Sequence, residues 1–176
     1  MDKTYLIPAP IDIVFEPIGE KYELFDKEYT LMEQSDNDPV GHWLKMAKAR
    51  GDTKETDQLL LTLIVELHRK VDELTQIVTG VEKNHVVLDF DEEIESINYE
   101  SFKLKEERFV AGKEYYGRII MPTFPKRDIP VFFKASSQSL GVFTKIHDYD
   151  KAEWDSYVAA RERSVIRAMK KEKDEY

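Results

Sequence analysis

An apolar repeat with alternating steps of four and three residues runs from Leu60 to Val78, and it constrains the fold more than any other stretch. Its members are Leu60, Ile64, Leu67, Val71, Leu74 and Val78. The alternation of leucine with β-branched residues is typical of a parallel two-stranded coiled coil. The apolar stripe is widened by Leu61, Leu63 and Ile77. A wider stripe would also suit a higher oligomer or packing on the protein's own domain. We predict that this helix mediates self-association, as a dimer or a tetramer. The alternative is an ordinary amphipathic helix on a globular core.

Composition places the chain of 176 residues among globular proteins, with 41% hydrophobic and 35% charged residues. The absence of cysteine excludes disulfides, thiolate metal ligands and a cysteine nucleophile, and it fits a reducing compartment. The first residues lack the pattern of a signal peptide, and the longest apolar run, residues 59–65, is too short to span a bilayer. We therefore expect a cytoplasmic protein.

Charge is unevenly distributed along the chain, which has a net charge of −9. Residues 1–80 hold 9 bases against 16 acids, and residues 81–176 hold 17 bases against 19 acids. Neither part has the basic surplus that nonspecific binding to nucleic acid or to an anionic membrane requires. We expect neither nucleic acid nor a membrane as a partner.

The first 80 residues are predicted to hold an extended segment and then helices. Pro8 and Pro10 exclude helix from residues 5–16 and limit any strand there to a sheet edge. A short helix is compatible with residues 19–34, which are weakly patterned.

Two further helices have clearer boundaries. Asp38-Pro39 is a helix start, with aspartate as the cap and proline at the first helical position, and this helix should end near Gly51. Thr53 or Thr56 is then expected to cap the heptad helix, which should end at Gly80.

After residue 80 the apolar period changes from that of a helix to that of a strand. The predicted strands are residues 85–90, 95–104, 114–121, 129–135 and 140–146. Five short strands separated by turns indicate a small antiparallel barrel. Asp150 with Glu153 forms a capping box that should start a last helix running to Lys170. The predicted fold class is α+β, with an oligomerisation region at 1–80 and a barrel with a C-terminal helix at 81–176.

No catalytic or metal motif is present in the sequence. The histidines His42, His68, His85 and His147 are scattered, and no glycine-rich phosphate loop or nucleophile motif occurs. The acidic run Asp89, Asp91, Glu92, Glu93 and Glu95 could be a cation site, but it lacks the features of a calcium loop and suits a solvated strand edge better. We predict a protein that is not an enzyme and has no cofactor.

Aromatic residues alternate with bases in the barrel region: Tyr115, Tyr116, Arg118, Phe124, Lys126, Arg127, Phe132, Phe133 and Lys134. On a five-stranded barrel such residues could form an oligonucleotide-binding face. Alternate aromatic residues on strands are more often core, and the local charge is close to neutral. The core interpretation is therefore preferred.

Residues 82–170 resemble a PilZ domain, the bacterial receptor module for cyclic di-GMP. The resemblance rests on motifs in the family's order: residues 109–115, Ile120-Met-Pro122 followed by Pro125, residues 129–135, residues 141–143, and residues 149–154 leading to Arg161-Glu-Arg163. It implies a small barrel closed by the last helix.

The ligand motifs of that family are degenerate in this chain. The family's Arg-x-x-x-Arg has no counterpart in residues 80–85, and its (Asp/Asn)-x-Ser-x-x-Gly aligns with Ser96, Asn98 and Ser101. The acidic run would lie near the two phosphates. The resemblance therefore implies that cyclic di-GMP does not bind. The alternative is a receptor with a non-standard site, for which Lys83, Arg108 and Arg118 are the candidate bases.

A helical seam beside such a barrel also resembles the atypical PilZ proteins that form tetramers through long helices and have degenerate ligand motifs. The resemblance implies a cytoplasmic regulatory or scaffold protein that acts through oligomerisation and protein contacts, in bacterial motility or surface behaviour. Exposed aromatic residues of the barrel would be the surface that docks an unidentified protein partner.

Overall fold

A computed structural model describes residues 5–35, 39–79, 85–122 and 127–174. The chain divides into two units, one made of the residues up to Phe25 together with those from Leu88 onward, and the other of Asp26–Val87. The helices are α1 (Tyr22–Ser35), α2 (Pro39–Arg50), α3 (Gln58–Thr79) and α4 (Asp148–Asp174). The strands are β1 (Ile7–Pro17), β2 (Phe90–Ile97), β3 (Ser101–Leu104), β4 (Glu114–Met121), β5 (Arg127–Ala135) and β6 (Leu140–Ile146).

The six strands form a closed antiparallel barrel in the order β1-β2-β3-β6-β5-β4. The prediction of an α+β chain with a small antiparallel barrel is confirmed. Strands β4 and β6 have the predicted bounds.

Strand β1 closes the barrel by pairing with both β2 and β4. The predicted division at residue 80 assigned this segment to the helical region, whereas its pairing places it among the barrel strands. Pro8 and Pro10 fit because pairing with β4 begins only at Asp12, so the N-terminal part of β1 has one neighbour. The β1–β2 register also shifts between Pro8 and Ile11. Proline is tolerated at such irregular positions because no ladder hydrogen bond is required of its nitrogen.

The predicted strands at 85–90 and 95–104 are both corrected. Residues 85–88 are not in a strand, and β2 begins at Phe90. A turn at residues 98–100 then separates β2 from β3, so that 95–104 is not one strand. The prediction failed because local alternation continues through the turn, whereas the reversal is held by hydrogen bonds of the backbone and the side chain of Asn98.

Aromatic side chains fill the barrel. Phe133 lies against Phe15, Phe102, Phe109 and Tyr115, with ring centroids between 5.0 and 6.2 Å apart. Most of these pairs are edge-on or tilted, which is the favourable geometry for neighbouring aromatic quadrupoles. A Cβ at Gly141 would lie 2.8 Å from Phe102 Cζ and 2.9 Å from Phe133 Cδ2, so the interior requires glycine there.

Helix α4 begins at Asp148, two residues before the predicted capping box. The carbonyl of His147 accepts the Lys151 N–H at 2.8 Å, so His147 precedes the first helical turn. Asp150 is a buried residue of the helix and not its start, which corrects the prediction. Trp154 and Val158 belong to the barrel core, and Val165 packs against it.

In the unit Asp26–Val87, which we call the helical unit, two observed helix boundaries agree with those predicted from the sequence. Helix α2 begins at Pro39, as predicted, and a left-handed Gly51 with φ +79° follows its end. Helix α3 is capped by Asp57, whose Oδ1 accepts the N–H of Leu59 at 2.9 Å and of Leu60 at 3.4 Å. The cap is therefore not Thr53 or Thr56, as predicted. The predicted helix end at Gly80 lies outside the described residues.

Candidate functional site

The β2–β3 turn holds the three positions that the resemblance assigned to ligand recognition, Ser96, Asn98 and Ser101. Asn98 Oδ1 accepts the backbone N–H of Glu100 at 2.9 Å and of Ser101 at 2.7 Å, and the Ser101 hydroxyl at 2.8 Å. The backbone N–H of Asn98 also donates to the Ser101 carbonyl at 2.9 Å. Ser96 and Ser101 are buried. Asn98 and Ser101 therefore form a closed turn in which their polar atoms are engaged, while Ser96 lies buried on β2 just before it.

Helix α4 holds the same turn from the other side. Trp154 Nε1 donates to the Asn98 carbonyl at 2.9 Å, and the Tyr99 hydroxyl donates to Glu162 at 3.0 Å. That hydrogen bond to the carboxylate raises the pKa of Tyr99 above its usual value. Arg161 donates through Nε and Nη2 to the carbonyl of Pro8, at 3.1 and 2.8 Å.

Sequence reasoning did not identify these contacts of α4. The only available signal was the aromatic and basic residues on one side of a predicted amphipathic helix. That signal indicates that one face of α4 is buried. It does not indicate which backbone carbonyls this face contacts, because the carbonyls belong to distant parts of the chain.

The acidic run forms ion pairs with bases on or after β3. Glu92 binds Arg108 at 2.7 Å, while Glu93 binds Lys105 and Glu95 binds Lys103, each at 3.4 Å. Within the described residues, no group of three histidine, aspartate or glutamate side chains is placed to hold a metal ion. The side chains of Asp91, Glu93 and Glu95 are exposed, as expected of a solvated position, but the run is not at a strand edge, because β2 pairs with both β1 and β3.

The candidate bases for a rebuilt nucleotide site are dispersed. Arg108 is engaged with Glu92, and Arg118 is buried on β4 with 8% of its surface exposed. Lys83 lies outside the described residues. A dinucleotide site needs several cations that face one open surface. Arg118 is buried away from such a surface, and Arg108 is paired through Nε with Glu92.

The aromatic residues of β4 and β5 are divided between the two sides of the barrel wall. Tyr115 and Phe133 point into the core. On the outer side, Tyr116 stacks on Phe25 with centroids 4.9 Å apart, and Phe132 lies 5.6 Å from Tyr22. Because Tyr116 and Phe132 are buried as well, these four rings do not form an oligonucleotide-binding face. Phe124 and Lys126 lie outside the described residues.

A surface cleft lies at one end of the barrel, where the end of β1 meets the start of β4. It is lined by Pro17, Ile18, Gly19, Gly112, Lys113, Glu114 and Lys134. Gly19 and Gly112 line it without side chains, and both have positive φ, at 50° and 85°, which glycine adopts without strain. Lys113 and Lys134 are exposed, and they give the cleft two ammonium groups beside one carboxylate.

The heptad repeat of α3 is exposed along its whole length. The six seam residues (Leu60, Ile64, Leu67, Val71, Leu74 and Val78) are between 50% and 83% exposed. Leu63 and Ile77 beside the seam are exposed too, while Leu61 and Val65 on the neighbouring face are half-buried. The helix therefore uses one face within its own chain and leaves the seam uncovered.

Comparison with known proteins gave no match: no protein-family model, no curated protein and no solved structure matches this chain. Among the described residues, none of the helices has the length and apolar character needed to cross a membrane.

Proposed function

We propose that this protein is a non-enzymatic cytoplasmic regulator or scaffold, built from a PilZ-like barrel that does not bind cyclic di-GMP and an α3 helix that joins copies of the chain. The observation that carries the proposal is the exposed seam of α3. Its action through protein contacts in bacterial motility or surface behaviour rests on the family resemblance alone.

The occupant of the seam is a second copy of the same chain. Leucine and β-branched residues alternate at the two core positions, which is the arrangement that lets one helix pack its side chains between those of an identical helix. Each exposed leucine gains about 1.5–3 kcal/mol when it is fully buried. Six such residues on each chain give a contact strong enough to hold a dimer or tetramer together.

The double substitution of Leu67→Asp with Leu74→Asp tests this contact. It places charges in the seam while leaving the isolated chain intact, because both side chains are exposed in the monomer. We expect analytical ultracentrifugation to change from an oligomer to a monomer, and far-ultraviolet circular dichroism to stay the same.

The matched control is Leu67→Met with Leu74→Met, which keeps the seam apolar and should keep the oligomer. An unchanged sedimentation profile of the aspartate variant would exclude the seam as the contact. If that variant unfolds, dilution of the wild-type protein gives a second measurement. A sedimentation coefficient that does not change with concentration, at the value of a monomer, would also exclude self-association.

The ligand part of the proposal is supported by the turn and by the ion pairs around it. The Asn98 side chain is committed to the turn, and Arg108 is committed to Glu92. Each charge-assisted hydrogen bond contributes about 1.5–3 kcal/mol. Without two arginines free to bind the phosphates, binding is weaker by several tenfold steps, each of about 1.4 kcal/mol.

Isothermal titration calorimetry with cyclic di-GMP tests this expectation. We expect no heat of binding up to about 10 μM ligand. A Kd of about 10 μM would correspond to about 7 kcal/mol of binding free energy. A Kd below this value would contradict the proposed loss of the ligand and would point to a rebuilt site.

The second candidate function is a cyclic di-GMP receptor with such a non-standard site, and the cleft at the barrel end favours it. Lys113 and Lys134 are the only bases that line this cleft among the residues the structure describes. If binding is measured, Lys113→Ala with Lys134→Ala should abolish it for a site in the cleft. Arg108→Ala should abolish it instead for a site at the family's usual position.

A further inference from the structure

The C-terminal part of α4 has no partner within the described chain. Val165 packs on the barrel core, but every side chain from Ile166 to Asp174 is exposed. Four bases lie on one face of this segment, at steps of four, three and one: Arg163, Arg167, Lys170 and Lys171. None of these four bases, which we call the basic stripe, has a hydrogen bond or acidic partner among the described residues.

A second charged surface lies on the outer side of β1 and β2. Asp12, Asp91, Glu93 and Glu95 are exposed there, and Asp12 lies directly opposite Glu93 in the strand pairing. Like charges at directly opposite positions destabilise a sheet. Glu93 and Glu95 have lysine partners, but Asp12 and Asp91 have neither a hydrogen bond nor an ion pair within the part of the chain that the structure describes. We call these four residues the acidic face.

We propose that the basic stripe of one copy binds the acidic face of a second copy of this chain. The charge spacings of the two surfaces match. Residues four apart on a helix are about 6 Å apart along its axis, and residues two apart on a strand are about 6.6 Å apart. Arg163, Arg167 and Lys171 thus span about 12 Å, and the carboxylates at 91, 93 and 95 span about 13 Å.

The contact forms between copies because the fold prevents it within one. Arg161 holds α4 to the carbonyl of Pro8, and Trp154 holds it to the β2–β3 turn, so the helix has a fixed position on the barrel. In that position the stripe meets no carboxylate within residues 5–35, 39–79, 85–122 and 127–174. The acidic face has the same length as the stripe. A nucleic acid or an anionic membrane bound to the stripe would extend past the stripe and be repelled by a chain with a net charge of −9.

This contact differs from the α3 seam in its response to salt. Ion pairs at an exposed surface weaken as the Debye length falls from about 10 Å at 0.1 M salt to about 3 Å at 1 M. An apolar seam is not weakened by salt in this way. The inference therefore stands or falls separately from the proposed function. In the Leu67→Asp, Leu74→Asp variant, association through the stripe should remain at low salt and disappear at high salt.

Charge reversal with exchange of partners tests the contact in the full-length chain. The stripe variant carries Arg167→Glu with Lys171→Glu, and the face variant carries Asp12→Lys with Asp91→Lys. Each alone should weaken salt-sensitive association about thirtyfold, by loss of two attractions and gain of two repulsions. An equimolar mixture of the two variants should restore association, because each supplies the charge that the other lacks. Sedimentation velocity at low and high salt measures all three samples.

The control is Lys48→Glu with Lys54→Glu, at two exposed positions of the unit Asp26–Val87. It changes the net charge as much as the stripe variant does, and it should associate like the wild-type protein. The proposal is overturned if wild-type association does not depend on salt, if the face variant associates like the wild type, or if the mixture does not recover. Loss of association in the stripe variant, with none in the face variant, would show that the acidic face is not the partner of the stripe. Co-sedimentation of the wild type with acidic phospholipid vesicles would then assign the stripe to a membrane surface.

Discussion

The barrel and helix α3 contain similar apolar residues but bury them in different ways. In the barrel, inward side chains such as Phe133 are completely enclosed, since six strands close on themselves, and α4 adds Trp154 and Val158 to the same core. In α3 the six seam residues are all at least half exposed. A closed sheet provides its own second surface, whereas a single helix needs another element to cover its apolar stripe.

Under the proposed function, the barrel residues stabilise one chain and the seam residues join chains. Substitutions in the barrel should change the free energy of unfolding at every protein concentration. Substitutions in the α3 seam should change it only where the chain associates, because the stabilising partner is then a second molecule. The predictions below test this distinction, beginning with the largest effect.

Phe133→Ala should lower the free energy of unfolding by about 3–5 kcal/mol, as expected for a buried aromatic side chain that leaves a cavity. The cause is the loss of contacts with Phe15, Phe102, Phe109 and Tyr115. Urea unfolding at two protein concentrations measures it, and the loss should be the same at both.

Leu67→Ala is the matched comparison in α3. At high dilution it should change the stability by less than about 0.5 kcal/mol, as for an ordinary surface substitution, and its effect should grow with protein concentration. A large loss in the dilute monomer would show that the seam is covered within its own chain, and the contrast between the two regions would fail.

Asn98→Ala should lower the stability of the barrel by about 1–3 kcal/mol, because it removes an acceptor and leaves polar groups of the turn without partners. Asn98→Asp is the control, since aspartate also accepts hydrogen bonds and is tolerated in such turns. Thermal unfolding monitored by circular dichroism distinguishes the two variants. Equal stability of the wild type and the alanine variant would show that the turn does not depend on Asn98.

The smallest expected effect is a pH dependence in the barrel unit. The hydrogen bond to Glu162 raises the pKa of Tyr99 above its usual value of 10.0. A group whose pKa is raised on folding stabilises the fold below its unfolded pKa, and this stabilisation is lost as the pH rises through the folded value. We therefore expect stability to fall above pH 10, and to fall less in Tyr99→Phe.

Ultraviolet difference titration of the wild type against Tyr99→Phe isolates this tyrosine from the eight others. In Glu162→Gln its ionisation should move to lower pH, because the carboxylate that favours the protonated phenol is gone. An unchanged titration of Tyr99 in that variant would contradict the contact between α4 and the turn.

Local sequence patterns determined the elements and several of their ends. The 3.5-residue repeat predicts the helix that the structure has at Gln58–Thr79, and the bounds predicted for β4 and β6 are the observed ones. Pro39 and Gly51 mark the limits of α2 because their effects on the backbone depend only on the residue itself.

The tertiary structure alone decided which distant segments pair and what their polar groups bind. Strand β1 enters the barrel through hydrogen bonds to β2 and β4, which lie far along the chain, and no local period encodes such a choice. The commitment of Asn98 to a turn, of Arg108 to Glu92 and of Arg161 to the Pro8 carbonyl was likewise not predictable. Each depends on where a closed barrel places backbone and side-chain atoms in space, because a polar group binds whatever partner the fold brings within hydrogen-bonding distance.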